Sequence, residues 1–214
     1  MLISLKRFQQ TALCAEALNL TAYEILNPKK EYLKGVKAFI FDMDGTLVDS
    51  MRFWNRSEEH GINDYPTPEE YIIDKYNKDI DPKANAMELL ALLHENGIPV
   101  CIASDTPLYI SKGLFERHDI LSRIDFYIGS DDVGTYKQKS AKIFLEAAKR
   151  LGFPPEECVI FEDRITYCKR AKAEGFKVVG VFDEESRDDT LEMQHICDDY
   201  VYNLSKMMKS QLSF

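Results

Sequence analysis

Two aspartates separated by one residue, Asp42 and Asp44, stand in the segment FDMDGTLVDS (41–50), directly before Gly45. At the end of a buried strand such a site can bind a hard, oxygen-liking divalent cation through one carboxylate and a backbone carbonyl, and magnesium fits that description. A carboxylate is a weak nucleophile towards a phosphate dianion unless a cation neutralises charge and orients the phosphorus for in-line attack. Under those conditions Asp42 can attack, while Asp44 can protonate the leaving oxygen and later deprotonate water. Alone, the pair also reads as an acidic turn after a strand, so the surrounding elements must decide.

Those elements alternate. Residues 36–42, VKAFIFD, form an almost unbroken apolar run that stops at acidic residues, the pattern of a strand buried on both faces of a parallel sheet. Similar runs recur at 98–104, 124–130, 157–163 and 176–182, separated by amphipathic helical patterns, several of which close with glycine. The alternation predicts an α/β fold, a doubly wound Rossmann-like parallel sheet with its ligand site beyond the carboxyl ends of the strands. Asp42, Ser104, Glu162 and Asp163 all fall where an apolar run ends.

Residues 51–81 break the rhythm and read as two short helices, the second entered through Thr67 as N-cap and Pro68 as its first residue. The predicted organisation is an N-terminal helical extension over 1–35, a core domain over 36–50 and 82–214, and a small helical cap over 51–81, inserted after the first strand. The extension contains an amphipathic helix over 4–26. The cap is expected to be a mobile partial lid hinged at Asp49 and Ser50, with its aromatic residues forming a minimal core of their own. Arg52 and Arg56 would face the site if the cap folds over it.

Composition narrows the function classes. The 214 residues are 45% hydrophobic and 29% charged, as in ordinary globular proteins, and the formal net charge of −9 without a basic block disfavours a nucleic-acid partner. Five cysteines without a CxxC pair suggest neither a disulfide framework nor a zinc site. No run approaches the ~20 apolar residues of a membrane span, and the polar residues Gln9, Gln10 and Glu16 interrupt any signal-peptide core, so no membrane partner and a cytoplasmic location are expected.

With these residues in order, the chain resembles the haloacid dehalogenase superfamily over about residues 36–205. The DxDGT motif of that family is matched by Asp42, Asp44, Gly45 and Thr46, its Ser/Thr strand end by Ser104 in VCIASDT, and its late acidic pair by Glu162 and Asp163 in VIFED. The resemblance implies magnesium held by Asp42, Asp44 and Asp163, with Glu162 reaching it through water or steadying the ligands. It also implies phosphate contacts from Ser104, from the following turn at Asp105, and from a lysine preceding a helix. YKQKSAKIF offers Lys137 and Lys139, and spacing to a helix beginning near Ser140 favours Lys139.

The helical insertion resembles the cap of the subgroup containing β-phosphoglucomutase and many small-metabolite phosphatases. The implied activity is magnesium-dependent hydrolysis of a small phosphate ester through an aspartyl-phosphate. A phosphosugar mutase or a catalytically silent binding protein are the alternatives. Asp44 argues against dehalogenation, because a departing halide needs no acid. After the acidic pair this chain departs from the family's small residue and glycine, presenting Arg164 and Tyr167, bulkier groups expected to narrow the entrance.

Overall fold

The computed structural model describes residues 22–26 and 30–209. The predicted helix over 4–26 lies almost wholly outside the described residues. Its last part, α1 (Ala22–Ile25), is one turn, and Leu26 bridges antiparallel to Met208.

Six parallel strands form one sheet: β1 (Ala38–Phe41), β2 (Val100–Ser104), β3 (Phe126–Gly129), β4 (Cys158–Glu162), β5 (Lys177–Val181) and β6 (Asp199–Val201). Their order is β3-β2-β1-β4-β5-β6, so the winding reverses at β1. A doubly wound sheet opens a crevice at such a reversal, beyond the carboxyl ends of the strands. Asp42 follows the last residue of β1 and Ser104 ends β2, while Glu162 ends β4 with Asp163 next in the chain.

Successive strand residues point to opposite faces, which explains the unbroken apolar runs. On one face Phe39, Phe41, Val100, Ile102, Val159 and Phe161 meet Leu89 and Leu93 of α4 (Ala86–Glu95), and Leu114 and Phe115 of α5 (Leu108–His118). On the other, Ala38, Ile40, Cys101, Ala103 and Ile160 meet Phe144 and Ala147 of α7 (Lys142–Leu151), and Cys168 and Ala171 of α8 (Ile165–Ala173). A single-turn helix α6 (Ser130–Val133) follows β3, and α9 (Thr190–Ile196) adds Met193 to the second face. Phe41 and Phe161 stack with centroids 4.5 Å apart. Burying each such ring contributes roughly 1.5–3 kcal/mol, so the strand ends carrying Asp42 and Glu162 are rigidly held.

The segment after β1 forms α2 (Met51–Asn55) and α3 (Pro68–Lys78). Thr67 Oγ1 accepts the Glu70 N–H at 3.1 Å, and Pro68 occupies the first turn, as the cap sequence predicts. The expected separate core is not found. Phe53, Tyr71, Ile72, Tyr76 and Ile80 belong to the same buried cluster as Phe39, Phe41 and Leu89.

The insertion expected to act as a mobile lid packs closely on the core. Helices α3 and α5 cross so closely that a Cβ on Gly113 would lie 1.7 Å from Asn77 Oδ1 and 3.0 Å from Asn77 Cα. Arg117 of α5 donates to the carbonyls of Tyr76 and Ile80 and pairs with Asp81 at 2.9 Å. At the expected hinge, the Asp49 N–H donates to the Asp81 carbonyl at 3.0 Å, tying the two ends of the insertion together. Within the insertion Phe53 packs on His60 and Tyr65 meets Tyr71 edge-on, but so few residues also bury apolar side chains against the sheet domain.

Candidate active site

Asp42 lies at the mouth of the crevice because its N–H continues the pairing of β1 with β4, donating to the Phe161 carbonyl at 2.9 Å. Asp42 is 3% exposed, and its carboxylate accepts from the Lys137 ammonium. Lys137, 2% exposed, also donates to Glu162 Oε2 at 2.9 Å. The other Glu162 oxygen accepts the N–H groups of Asp163 and Arg164, each at 3.2 Å. Glu162 therefore anchors the lysine and shapes the turn after β4.

The lysine favoured by sequence spacing, Lys139, is exposed. Its N–H and that of Ser140 both donate to the Tyr136 carbonyl, which closes a turn and directs Lys139 outwards. Helix α7 begins at Lys142, later than the expected start near Ser140. Asp105 fixes the alternative, since its Oδ1 accepts the Lys137 N–H at 2.8 Å. The carboxylate of Asp105 thus positions Lys137, while the phosphate contact expected at this turn is one of its backbone amides.

Asp44 points to a different set of groups. Its Oδ1 accepts from Ser50 Oγ at 2.6 Å and from the Tyr76 hydroxyl, and its Oδ2 accepts from Thr106 Oγ1 at 2.7 Å and from Ser104 Oγ at 3.4 Å. Burial, and then the Asp44 charge, push the Tyr76 hydroxyl well above its usual range, so it stays protonated and donating. Trp54 Nε1 donates to the same Tyr76 oxygen at 3.3 Å. Tyr76, Trp54 and Thr106 are site residues that sequence reasoning missed, because nothing local marks a partner 32 positions away.

Three buried carboxylates, Asp42, Glu162 and Asp163, offer oxygens within 4.8 Å of one another, against one ammonium. Burial raises the Asp42 carboxyl well above its usual range, the Glu162 charge adds to this, and Lys137 opposes it. Burial followed by the Glu162 and Asp42 charges raises Asp163 similarly. Both Asp163 carboxylate oxygens are buried without a hydrogen-bond partner. An all-oxygen donor set with excess negative charge and an unpartnered buried carboxylate fits a hard divalent cation. Asp44 directs its carboxylate to hydroxyls, and Glu162 is occupied by Lys137 and two N–H groups, so neither side chain is free as Asp163 is. Gly45 lets the loop close over this group: its φ is +81°, and a Cβ there would lie 2.5 Å from Asp163 Oδ2.

A cavity of about 430 Å³ opens above these groups, with Asp42, Asp44, Asp163, Lys137, Ser104, Asp105 and Thr106 among its lining. Its outer wall is Met51, Trp54, Pro107, Tyr136, Arg164 and Tyr167. Arg164 and Tyr167 therefore do flank the entrance, with the Tyr167 ring 5.1 Å from the Lys137 ammonium. Arg52 pairs with Asp49 and Arg56 with Glu185, and neither lines the cavity.

A family model described as haloacid dehalogenase-like hydrolase matches residues 57–175, which include Ser104, Lys137, Glu162 and Asp163. The chain is 30% identical over 141 residues to a bifunctional riboflavin kinase/FMN phosphatase of Arabidopsis thaliana, covering 56% of this chain and 34% of that protein. It is 27% identical over 188 residues to the mitochondrial (DL)-glycerol-3-phosphatase 1 of the same plant, covering 67% of this chain and 63% of the relative. It thus spans less than two thirds of either length. Its fold is similar to that of CbbY from Rhodobacter sphaeroides in complex with phosphate, with a TM-score of 0.67, 18% identity, and coverage of 78% of this chain and 94% of the other.

Proposed function

Because the chain belongs to the haloacid dehalogenase-like hydrolase family, we propose that it hydrolyses small phosphate monoesters, with Asp42 as nucleophile and Asp44 as acid and base. The observation that carries this reading is the convergence of Asp42, Lys137 and the unpartnered Asp163 carboxylate at the floor of one cavity. Asp42 and Asp163 would hold magnesium, which when bound neutralises phosphate charge and aligns the phosphorus for attack.

In the first half-reaction an Asp42 carboxylate oxygen attacks phosphorus and the bond from phosphorus to the ester oxygen breaks. Asp44, protonated, gives its proton to the departing oxygen, so the alcohol leaves neutral. In the second, Asp44 takes a proton from water, and the resulting hydroxide attacks phosphorus, releasing inorganic phosphate and restoring Asp42. Lys137 offsets the charge that builds on the transferring group, and Ser104 can turn its hydroxyl to a phosphoryl oxygen. The hydroxyls of Ser50, Tyr76 and Thr106 hold Asp44 facing the cavity.

Hydrolysis of p-nitrophenyl phosphate by the purified protein, with and without added magnesium, tests the reading. Magnesium-dependent release of phosphate, abolished in Asp42→Asn, is expected. Absence of turnover over a broad panel of phosphate monoesters would favour a silent binding protein.

A further inference from the structure

We propose that the substrate's leaving group carries a planar unsaturated ring, clasped by Trp54, Tyr136 and Tyr167. The inference rests on the phosphatase reading of the polar end and concerns the opposite end of the same cavity. With phosphate directed to Lys137 and the acidic floor, the leaving group must lie against the outer wall.

That wall favours a ring over a polyol. Its six side chains include no amide, and the cavity's neighbouring carboxylate, Asp105, already accepts the Lys137 N–H through one oxygen. Its indole N–H is already donated to Tyr76. Its remaining polar groups, the Arg164 guanidinium and the Tyr136 and Tyr167 hydroxyls, offer a chain of adjacent hydroxyls few acceptors. The wall instead offers three aromatic faces and a guanidinium carbon 6.0 Å from the Tyr167 ring. Trp54 is 40% exposed and Tyr136 57% exposed, large apolar surfaces left uncovered at the mouth of the cavity. Rings stack on such faces in offset or edge-on geometry, and an arginine beside them adds attraction to an electron-rich ring.

Two kinds of ester present this chemistry: one with the ring directly on the ester oxygen, and one with the ring carried on a spacer, as in a nucleotide. Binding separates them without depending on turnover. Trp54 is the one tryptophan in the chain, so its fluorescence reports on the wall directly. Asp42→Asn protein in magnesium would be titrated with phenyl phosphate, adenosine 5′-monophosphate, glycerol 3-phosphate and inorganic phosphate. At least one ring-bearing ester should perturb Trp54 emission and bind about tenfold more tightly than glycerol 3-phosphate, as stacking on one or two faces allows. Whichever ring ester binds more tightly identifies the source.

Adding Tyr136→Ala, at a side chain largely outside the core, should reduce that preference severalfold, whereas Tyr136→Phe should retain it. Glycerol 3-phosphate binding as tightly as both ring esters would overturn the proposal, as would Tyr136→Ala weakening all esters equally. The two readings fail differently. Wild-type hydrolysis without ring preference removes only this inference, ring-selective binding without hydrolysis removes only the phosphatase reading, and binding of no phosphate compound removes both.

Discussion

The hydroxyl of Tyr76, on the second helix of the insertion, donates to Asp44 Oδ1, an oxygen that also accepts from Ser50. The insertion, expected from sequence to be a partial lid, therefore reaches the group proposed to move the proton.

Tyr76→Phe keeps the buried ring and removes only this donor. General acid–base catalysis is typically worth 10²–10⁴-fold, so loosening its geometry should lower kcat by about tenfold with KM nearly unchanged. Steady-state kinetics on p-nitrophenyl phosphate would show it. An unchanged kcat would remove Tyr76 from any role in positioning Asp44.

The two lysines give a sharper comparison. Lys137→Met leaves Asp42 and Glu162 buried without their ammonium, which should cost about 3–5 kcal/mol of stability and reduce kcat/KM at least about a hundredfold. Lys139→Met, at an exposed side chain, should stay within about twofold of wild type. Denaturant melts with magnesium present, together with kinetics, check both variants. The reverse ranking would return the phosphate contact to Lys139.

Stability should depend jointly on pH and cation. Asp42 and Asp163 have folded-state pKa values raised above 3.8 by burial first and neighbouring carboxylates next. A carboxyl of this kind contributes its full stabilisation below the unfolded value, and that contribution is lost as pH rises through the folded value. Cation-free protein should therefore lose stability from mildly acidic towards neutral pH. Magnesium, which needs ionised carboxylates, should raise Tm more at about pH 8 than at about pH 5.5. Scanning calorimetry in chelator and in magnesium would show it, and equal shifts at both pH values would contradict a cation between these residues.

The insertion should melt with the sheet. Ile72 lies in the cluster shared with Phe41 and Leu89, so Ile72→Ala should cost about 2–5 kcal/mol of global stability. A lid with its own core would instead melt separately and leave the main transition unmoved. Excising residues 53–79 would also uncover the face of α5 on which α3 packs, and loss of cooperative unfolding is the expected result.

What could be read from the sequence was whatever a strand end makes visible. Asp42, Ser104 and Asp163 each interrupt an apolar run at the same end of a parallel sheet, so pattern and topology together bring them to one crevice. The choice of Lys137 over Lys139 was not legible, because both stand in a polar stretch and look solvated. Only the burial of Lys137 between two carboxylates, fixed by Asp105 from another strand end, distinguishes it from Lys139. Tyr76 and Trp54 were hidden for a different reason. They sit on helices whose apolar spacing reads as ordinary core; Tyr76 is brought to the site by the packing of α3 on α5, and Trp54, on α2, joins it by donating to Tyr76. The insertion's dependence on the sheet was likewise invisible to local periodicity, which reports that a face is buried without saying against what.

The central claim is that Asp42 carries the phosphoryl group between the two half-reactions. The most direct measurement is peptide mass spectrometry on protein quenched in acid during turnover of its best substrate in magnesium. The account predicts the mass of one phosphoryl group on the peptide containing Asp42, and its absence in Asp42→Asn. A phosphoryl group on another residue, or turnover persisting undiminished in Asp42→Asn, would contradict it.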